Sequence, residues 1–554
     1  MTETFEVVAT GAAADGIGGH VPALVKDGFA GKLFAKDPTL WGAEAESEAA
    51  KRLSWVGLPR TSRPLVGEIA AIRGELQDAG ADHVVLCGMG GSSLAPEVIC
   101  GTYGVELTVL DSSNPDQVRD ALQDRLERTV VVVSSKSGST VETDSQRRAY
   151  EQAFTDAGID AKSRIVIITD PGSPLDEQAR KDGYRVVNAD PDVGGRYSAL
   201  TAFGLVPSGL AGADVGELLD QAESVSDLLA EDDEGNPGLR LGAAIAGTTP
   251  LRNKIVLVDQ GSGLTGFADW AEQLIAESTG KQGTGLLPVV VADDSAPEVA
   301  LPPHDVTVVH LAGDAADESG DVTGDVSDDG QASGADGSAG SDVVVTGTLG
   351  AQMLLWEVAT ATAGVLLGIN PFDQPDVESA KVAARSMLEG APQVTPPDFT
   401  DAGVEGRALG GDWLGEARTL PDAVAALLAQ VDPQQGYVAV MAYLDRIRHA
   451  DLAEVRSALA HRVRRPVTFG WGPRFLHSTG QFHKGGPAEG VYLQVTGEPI
   501  EDLPVPGKDY TFGRLIAAQA AGDATVLADH GRPVLRVHLT DVEAGLSALR
   551  AALS

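Results

Sequence analysis

The chain has 554 residues and a mass of 57.2 kDa, which is more than one hydrophobic core can organise and predicts several domains. Hydrophobic residues make up 43% of it and charged residues 22%, proportions typical of a soluble globular protein rather than a fibre or a disordered chain. The formal net charge of -39 argues against a nucleic-acid partner or an anionic membrane, because either would repel the protein.

The predicted elements begin with a helical segment over residues 1–58, where apolar side chains recur at near-helical spacing. From position 83, short aliphatic runs alternate with longer amphipathic stretches, which is typical of parallel strands buried on both faces. Five runs predict a first doubly wound α/β domain over 59–230, namely 83–87, 107–111, 129–135, 164–169 and 184–188. Three runs predict a second over 231–392, namely 254–259, 286–293 and 305–311.

Two further segments of the second domain have unusual compositions. The acidic, glycine-rich stretch 313–342 has no lysine or arginine and too little apolar surface to offset its ordering entropy, so we predict a disordered surface insertion. The apolar segment 343–369 carries one formal charge, Glu357, among several polar side chains, which favours a buried core helix over a membrane span.

A third, mixed α/β region is predicted over 393–554, with a helix at 420–430 and strands at 437–444 and 491–497. The two cysteines, Cys87 and Cys100, are too few for a disulfide framework or a four-cysteine zinc site. The first 15 residues lack the basic stretch and apolar core of a secretion signal. We therefore expect a cytoplasmic protein.

Two loops that follow predicted strands have the composition of a phosphate site. Glycine turns that lead into a helix present backbone N–H groups to anions, and hydroxyl groups add donors. One hydroxyl would be enough to cap each helix, and the glycine turn alone could be a simple tight turn. The proposed phosphate ligands are Gly91 and Ser92 in GMGGSSL and Ser135, Lys136, Ser137 and Thr140 in SSKSGST. A nicotinamide cofactor is not expected, since Ser93 stands where the dinucleotide fingerprint has glycine.

These loops and two further motifs resemble a known family. GMGGSSL with SSKSGSTVET is similar to the sugar-phosphate-binding (SIS) fold of sugar isomerases. VGGRYSALTAFGL and GINPFDQPDVESAK resemble the two signature segments of the glucose-6-phosphate isomerase family. LWGAEAESEAAKRLSWVGL and FLHSTGQFHKGGP are similar to the isomerase half of fusion proteins that join a transaldolase to this enzyme.

The resemblance implies two doubly wound SIS lobes, followed by the C-terminal α/β region. It also implies the reversible isomerisation of glucose 6-phosphate to fructose 6-phosphate through a cis-enediol(ate), with no metal and no other cofactor. Because the substrate is an anion and the protein is acidic, Lys136, Arg196, Lys281 and Lys381 would have to supply a local positive field.

The family's residues map onto this sequence one by one. Glu277 in ESTGK would be the base that moves a proton between C1 and C2, with Gln273 as a neighbouring substrate contact. Arg196 would stabilise charge on the enediolate oxygens, since a guanidinium keeps its proton. Gln374 would contact the substrate, and Lys381 would assist ring opening.

The sequence leaves the ring-opening histidine open. An imidazole that titrates near neutrality can shuttle a proton between the ring oxygen and the C1 hydroxyl. In most family members the histidine motif precedes the FDQ segment, whereas the similar string LHSTGQ follows it here. His477 is our first choice and His483 the alternative. In the family this histidine comes from the partner subunit, which implies a homodimer.

Two other functions also stay open at this point. A related isomerase of the same fold would accept mannose 6-phosphate as well, which depends on stereochemistry at C2. A non-catalytic sugar-phosphate sensor would keep the hydroxyl loops but would not need Glu277, Arg196 and Lys381 together.

Overall fold

The structure, a computed structural model, describes residues 5–313, 342–389 and 395–554, without the side chains of 377–381 and 389. The predicted acidic insertion lies almost entirely outside the described residues. The chain begins with a short strand and five helices: β1 Val7–Ala9, α1 Gly11–Lys26, α2 Phe29–Phe34, α3 Glu46–Ala49, α4 Leu58–Thr61 and α5 Arg63–Asp78.

The first lobe is a parallel sheet covered by helices, as predicted. Its strands are β2 His83–Gly88, β3 Thr108–Leu110, β4 Thr129–Ser134, β5 Ile165–Thr169 and β6 Arg185–Asn188, in the order β3-β2-β4-β5-β6. Its helices are α6 Leu94–Thr102, α7 Pro115–Gln123, α8 Val141–Asp156, α9 Pro174–Asp182 and α10 Ala202–Ala211. All five predicted aliphatic runs contain strands, and β2, β4 and β5 are apolar because they are buried on both faces.

The second lobe is built around the sheet β1-β10-β9-β7-β8. Helix α11 Val215–Ala230 connects the first lobe to the second and packs against α15 Leu349–Leu367. The elements of the second lobe in chain order are α12 Pro237–Ala246, β7 Lys254–Gln260, α13 Phe267–Thr279, β8 Leu287–Val291, α14 Pro297–Ala300, β9 Val306–Ala312, β10 Val343–Thr346, α15 Leu349–Leu367 and α16 Pro375–Glu389.

Two predictions for this lobe need correction. Segment 343–369 is not one helix, since its first four residues form β10. These residues are β-branched, which favours an extended chain, and Gly347 turns the chain with a φ of 143° before α15 begins. Segment 1–58 is not purely helical either, because β1 pairs antiparallel with β10 and forms the sheet edge.

The C-terminal region is a mixed sheet in the order β11-β12-β16-β15-β13-β14. Its elements are β11 Phe399–Asp401, β12 Val404–Leu409, α17 Leu420–Leu428, β13 Tyr437–Tyr443, α18 Val455–Val463, β14 Val467–Trp471, α19 Gly480–Gly485, β15 Gly490–Gly497, α20 Phe512–Asp529, β16 Val534–Leu539 and α21 Val542–Leu553. Three regions built on α/β sheets therefore confirm the predicted fold class, while the predicted domain boundaries stay a prediction.

Helix α15 is the central helix of the second lobe. Among the described residues it alone is long and apolar enough to cross a membrane, but 89% of its most apolar window is buried inside the protein. A Cβ atom added at Gly242 of α12 would lie 2.7 Å from the carbonyl oxygen of Ala359, so the two helices pack closely where glycine permits it. This burial agrees with the predicted core helix.

Replacing Glu357 on α15 by leucine should stabilise the protein. Its side chain is fully buried, neither carboxyl oxygen has a hydrogen-bond partner among the described residues, and burial raises its pKa well above the usual value. We expect Glu357→Leu to increase the free energy of unfolding at pH 7 by about 1–3 kcal/mol, measured by urea denaturation.

The gain should increase with pH. Because the folded-state pKa is raised, the wild type loses stability as the pH rises above the unfolded-state value near 4.3, and the leucine variant lacks this loss. Glu357→Gln is the control, since it removes the titration but keeps a buried polar group. A difference from the wild type that stays constant with pH would contradict this explanation.

Candidate active site

The glycine loop between β2 and α6 lies against three other segments of the chain. A Cβ atom added at Gly91 would lie 1.9 Å from the carbonyl oxygen of Gly195, next to Arg196. One added at Gly90 would lie 2.9 Å from both Gln273 Nε2 and His477 Cβ. Glycine is therefore required at both positions for close backbone approach. The loop brings the predicted phosphate ligand Gly91 beside three other predicted site residues.

Helix α13 positions the predicted base. Gln273 and Glu277 lie one turn apart on the same face, and Gln273 Nε2 donates to Glu277 Oε2 at 3.2 Å and to the His477 carbonyl at 2.8 Å. On its other side, Glu277 Oε1 lies 3.3 Å from Arg196 Nη1. The carboxylate is thus held between a guanidinium and an amide, and it lies close to the glycine loop.

Arg196 connects the two signature segments and is only 4% exposed. Its Nε donates to Ser278 Oγ at 2.8 Å, and its Nη1 donates to Gln374 Oε1 at 2.9 Å. Its Nη2 donates to the carbonyls of Pro371 and Asp373 at 2.8 and 2.9 Å. The second lobe therefore holds this cation of the first lobe in one orientation, beside Glu277.

Lys281 also binds segment 370–374, which supplies acceptors for Arg196. Sequence reasoning gave it only a share in the local positive field, but its ammonium is 1% exposed and donates to the carbonyls of Asn370 and Asp373 at 2.7 and 2.5 Å. It also forms an ion pair of 2.7 Å with the Asp373 carboxylate. Burial, together with repulsion by Arg196, lowers the pKa of Lys281 to about 8. The sequence feature that could have indicated this anchoring role is the position of Lys281 in the ESTGK motif.

The C-terminal region brings His477 into the site. His477 ends a 3-10 turn, and its Nε2 lies 3.3 Å from Oε1 of Glu142, a buried carboxylate in the first turn of α8. Glu142 Oε1 also accepts a hydrogen bond of 2.6 Å from Gln519 Nε2. Sequence reasoning missed Glu142, although it directly follows the hydroxyl loop. His477 reaches this site from the same chain, so no partner histidine is required here, and the homodimer stays a prediction.

His483, the alternative histidine, lies in an aromatic cluster instead. Its ring centre is 6.0 Å from that of Tyr437 and 5.3 Å from that of Tyr492. Neither ring nitrogen has a hydrogen-bond partner among the described residues, and burial lowers the pKa of His483 to about 3. A buried histidine that stays neutral is not suited to shuttle protons at neutral pH, which favours His477.

The hydroxyl loop begins beside the glycine loop, because Ser134 and Gly88 are paired in the sheet. Within it, Ser135 Oγ donates to Thr140 Oγ1 at 3.2 Å, and the Ser137 and Ser139 hydroxyls are 2.7 Å apart. These hydroxyls lead into the N-terminus of α8, which favours an anion. Ser92 lies half-buried at the corresponding turn before α6.

The two remaining lysines that were predicted for the site are Lys136 and Lys381. Lys136 forms an ion pair of 2.7 Å with Asp170 and donates to the Pro191 carbonyl at 3.2 Å. Lys381 lies on α16, but its side chain is outside the described residues. The start of α16 is held by Gln481 of the C-terminal region, whose Nε2 donates to Asp376 Oδ2 at 2.7 Å.

No group of three or more histidine, cysteine, aspartate or glutamate side chains among the described residues could hold a metal ion. The described parts of the site are the carboxylates of Glu277 and Glu142, the guanidinium of Arg196, the imidazole of His477 and two loops suited to an anion.

The chain is similar in sequence to several known proteins. The family model for phosphoglucose isomerase matches residues 71–282. A probable glucose-6-phosphate isomerase of Methanococcus maripaludis is 30% identical over 351 residues, which cover 56% of this chain and 79% of that protein. The glucose-6-phosphate isomerase of Rubrobacter xylanophilus is 31% identical over 380 residues, which cover 58% of this chain and 86% of that protein. The chain belongs to the phosphoglucose isomerase family.

The crystal structure of a hypothetical protein from Thermus thermophilus has the same fold. It superposes with a TM-score of 0.56 at 23% identity, covering 69% of this chain and all of that one. The match to the phosphoglucose isomerase family model ends at Gln282. It therefore includes Arg196, Gln273 and Glu277 but not His477.

Loss of the Lys281 ammonium should loosen segment 370–374. We expect Lys281→Met to speed hydrogen exchange of the backbone amides of Phe372 and Asp373 by about 10- to 100-fold, since the segment loses its hydrogen bonds to the ammonium. Hydrogen exchange read by mass spectrometry measures this effect.

Lys254 offers a matched control. It is also a fully buried lysine, paired with Asp305 at 2.8 Å and with Glu489 at 2.7 Å, but among the described residues it has no hydrogen bond or ion pair with segment 370–374. Lys254→Met should destabilise the protein without a selective effect on that segment. Equal acceleration in both variants would contradict the anchoring role of Lys281.

Proposed function

We propose that this protein interconverts glucose 6-phosphate and fructose 6-phosphate as an aldose–ketose isomerase. The observation that carries the proposal is the junction at Glu277: its carboxylate lies 3.3 Å from the Arg196 guanidinium and is linked through Gln273 to the His477 carbonyl. The base Glu277 thus lies beside the cation Arg196 and close to the glycine loop, and Gln273 joins it to the turn that carries His477.

The loops would hold the phosphate. Gly91 and Ser92 would present backbone N–H and hydroxyl donors, and Ser135, Ser137 and Thr140 would add donors at the N-terminus of α8. Lys136 would contribute charge once its pairing with Asp170 is shared with the substrate. Gln273 and Gln374 would contact the sugar hydroxyls. Binding the phosphate would place C1 and C2 of the sugar near Glu277.

The residues then suggest a sequence of proton transfers. His477, paired with Glu142, would protonate the ring oxygen while the C1 hydroxyl loses its proton, and Lys381 would assist this opening. Glu277 would take the proton from C2, whose electron pair forms the C1–C2 double bond. Arg196 would stabilise the resulting oxyanion at O1, the proton of the C2 hydroxyl would move to O1, and Glu277 would return its proton to C1 as the C2 carbonyl forms. The balance of atoms needs no external oxidant or reductant.

We also propose a cytoplasmic location and a role in glycolysis and gluconeogenesis, where both hexose phosphates occur. The free, buried cysteines Cys87 and Cys100 are compatible with a reducing compartment. A homodimer is proposed from the family resemblance alone.

Removing the proposed base should abolish turnover while the fold persists. We expect Glu277→Gln to lower kcat by about 10²- to 10⁴-fold, because the amide cannot accept the C2 proton. The measurement is a dehydrogenase-coupled assay that starts from fructose 6-phosphate. Glu272→Gln is the matched control: Glu272 lies on the same helix but has no hydrogen bond or ion pair among the described residues. Full activity in Glu277→Gln would disprove the role of Glu277.

Ionic strength should act on substrate binding. The substrate dianion approaches a protein of net charge -39, and the site cations Lys136, Arg196 and Lys281 each lie beside a carboxylate. We expect moderate salt to lower KM for glucose 6-phosphate, because it screens the long-range repulsion. Initial rates at several salt concentrations test this, and a KM that rises steadily with salt would refute it.

A further inference from the structure

Four charged side chains join the C-terminal region to the first lobe beside the His477 turn. Arg474 Nη1 lies 3.0 Å from Asp111 Oδ2, and Arg446 Nε lies 3.2 Å from Asp111 Oδ1. Arg446 Nη2 lies 3.1 Å from Glu97 Oε1, and Arg474 Nη2 also bonds to Glu97. We call Glu97, Asp111, Arg446 and Arg474 the inter-lobe ion cluster. Two guanidinium groups alternate in it with two carboxylates.

Most of the cluster is withdrawn from water, which restricts its geometry. The Asp111 carboxylate is fully buried, the side chains of both arginines are 16% exposed, and the side chain of Glu97 is 33% exposed. Burial alone would raise the pKa of Glu97, but Arg474 and Arg446 outweigh it and lower the pKa to about 2, so the carboxylate is ionised at neutral pH. Charges withdrawn from water tolerate little separation from their partners. The cluster therefore sets the position of each backbone segment that carries it.

One of these segments is the turn that ends at His477. Residues Arg474–His477 form a single 3-10 turn, whose Phe475 ring packs edge-on against Tyr443 at 5.4 Å. The side-chain partner of His477 is Glu142 in the first lobe, and its carbonyl bonds to Gln273 in the second. The position of the imidazole thus depends on how the C-terminal region docks. Glu97 lies on α6, the helix that follows the glycine loop.

We propose that the inter-lobe ion cluster positions His477 for ring opening, with Arg474 as the positioning residue closest to it in the chain. This inference rests on the proposed isomerase function. Arg474 acts through the turn and not on the substrate. Its loss should therefore lower the rate of ring opening more than it weakens substrate binding.

The chain contains a matched control for Arg474. Arg456 is also a buried arginine of the C-terminal region and pairs with a carboxylate of another lobe, since its Nη1 lies 2.6 Å from Glu298 Oε1. Glu298 is in the second lobe, on α14, and among the described residues neither Glu298 nor Arg456 forms a hydrogen bond or ion pair with residues 474–477. Arg456→Met and Arg474→Met each break a buried inter-lobe ion pair, but only the second change lies next to His477.

The test compares these full-length variants in two reactions. Exchange between the α and β anomers of glucose 6-phosphate, followed by NMR, needs ring opening but no proton transfer by Glu277. We expect Arg474→Met to lower kcat for anomer exchange and isomerisation together by about 10- to 100-fold with KM nearly unchanged. Arg456→Met should keep both rates near the wild type. Arg474→Lys, which keeps the charge but loses the paired donors, should recover part of the rate.

A second measurement does not depend on activity. The pH titration of the His477 ring signal, assigned with His477→Gln, should shift in Arg474→Met because the ring moves away from Glu142, and it should stay unchanged in Arg456→Met. If Arg474→Met does not fold, Arg474→Lys replaces it in both measurements. Equal losses in the two arginine variants, or an unshifted His477 titration, would overturn the inference. A wild type that does not interconvert the hexose phosphates would instead overturn the proposed function, and this inference with it.

Discussion

The buried guanidinium of Arg196 forms the hydrogen bonds that fix the position of the first lobe relative to the second at the site. It belongs to the first lobe, yet its donors are satisfied by Ser278 at the end of α13 and by segment 371–374, both in the second lobe. A guanidinium withdrawn from water must find acceptors for its donors, because each unpaired donor is costly in a low-dielectric interior. The hydrogen bonds of Arg196 therefore both dock the lobes and place a positive charge beside Glu277.

The other parts of the site depend on this arrangement and extend it. The first lobe contributes the anion loops, the second contributes the carboxylate on α13, and the C-terminal region contributes the imidazole of His477. Glycines at 90 and 91 allow these parts to approach closely, since any side chain there would collide with them. A site assembled from three regions reacts to changes in their docking, which is why buried charges at the contacts matter for its geometry.

Much of this was predictable because the relevant signals are local. The aliphatic runs of β2, β4 and β5 are recognisable since parallel strands are covered on both faces. The spacing of Gln273 and Glu277 is a property of one helix. By contrast, β1 pairs with β10 more than 330 residues later in the chain, and a strand of three residues leaves no periodic pattern. The sequence could not predict the contacts of Glu142 and Lys281, because the residues that they bind lie far away in the chain.

The two histidines separate local from long-range information most clearly. The resemblance of LHSTGQ to the family's histidine motif made His477 the first choice and left His483 as the alternative. The structure favours His477: His483 is enclosed by Tyr437 and Tyr492, whereas the His477 ring meets Glu142 of another lobe. Strands, anion loops and the helix that carries the base follow from neighbouring residues, because main-chain geometry and side-chain periodicity act over short distances. Which polar side chains meet at the site depends on the segments that pack together there, and those segments come from distant parts of the chain.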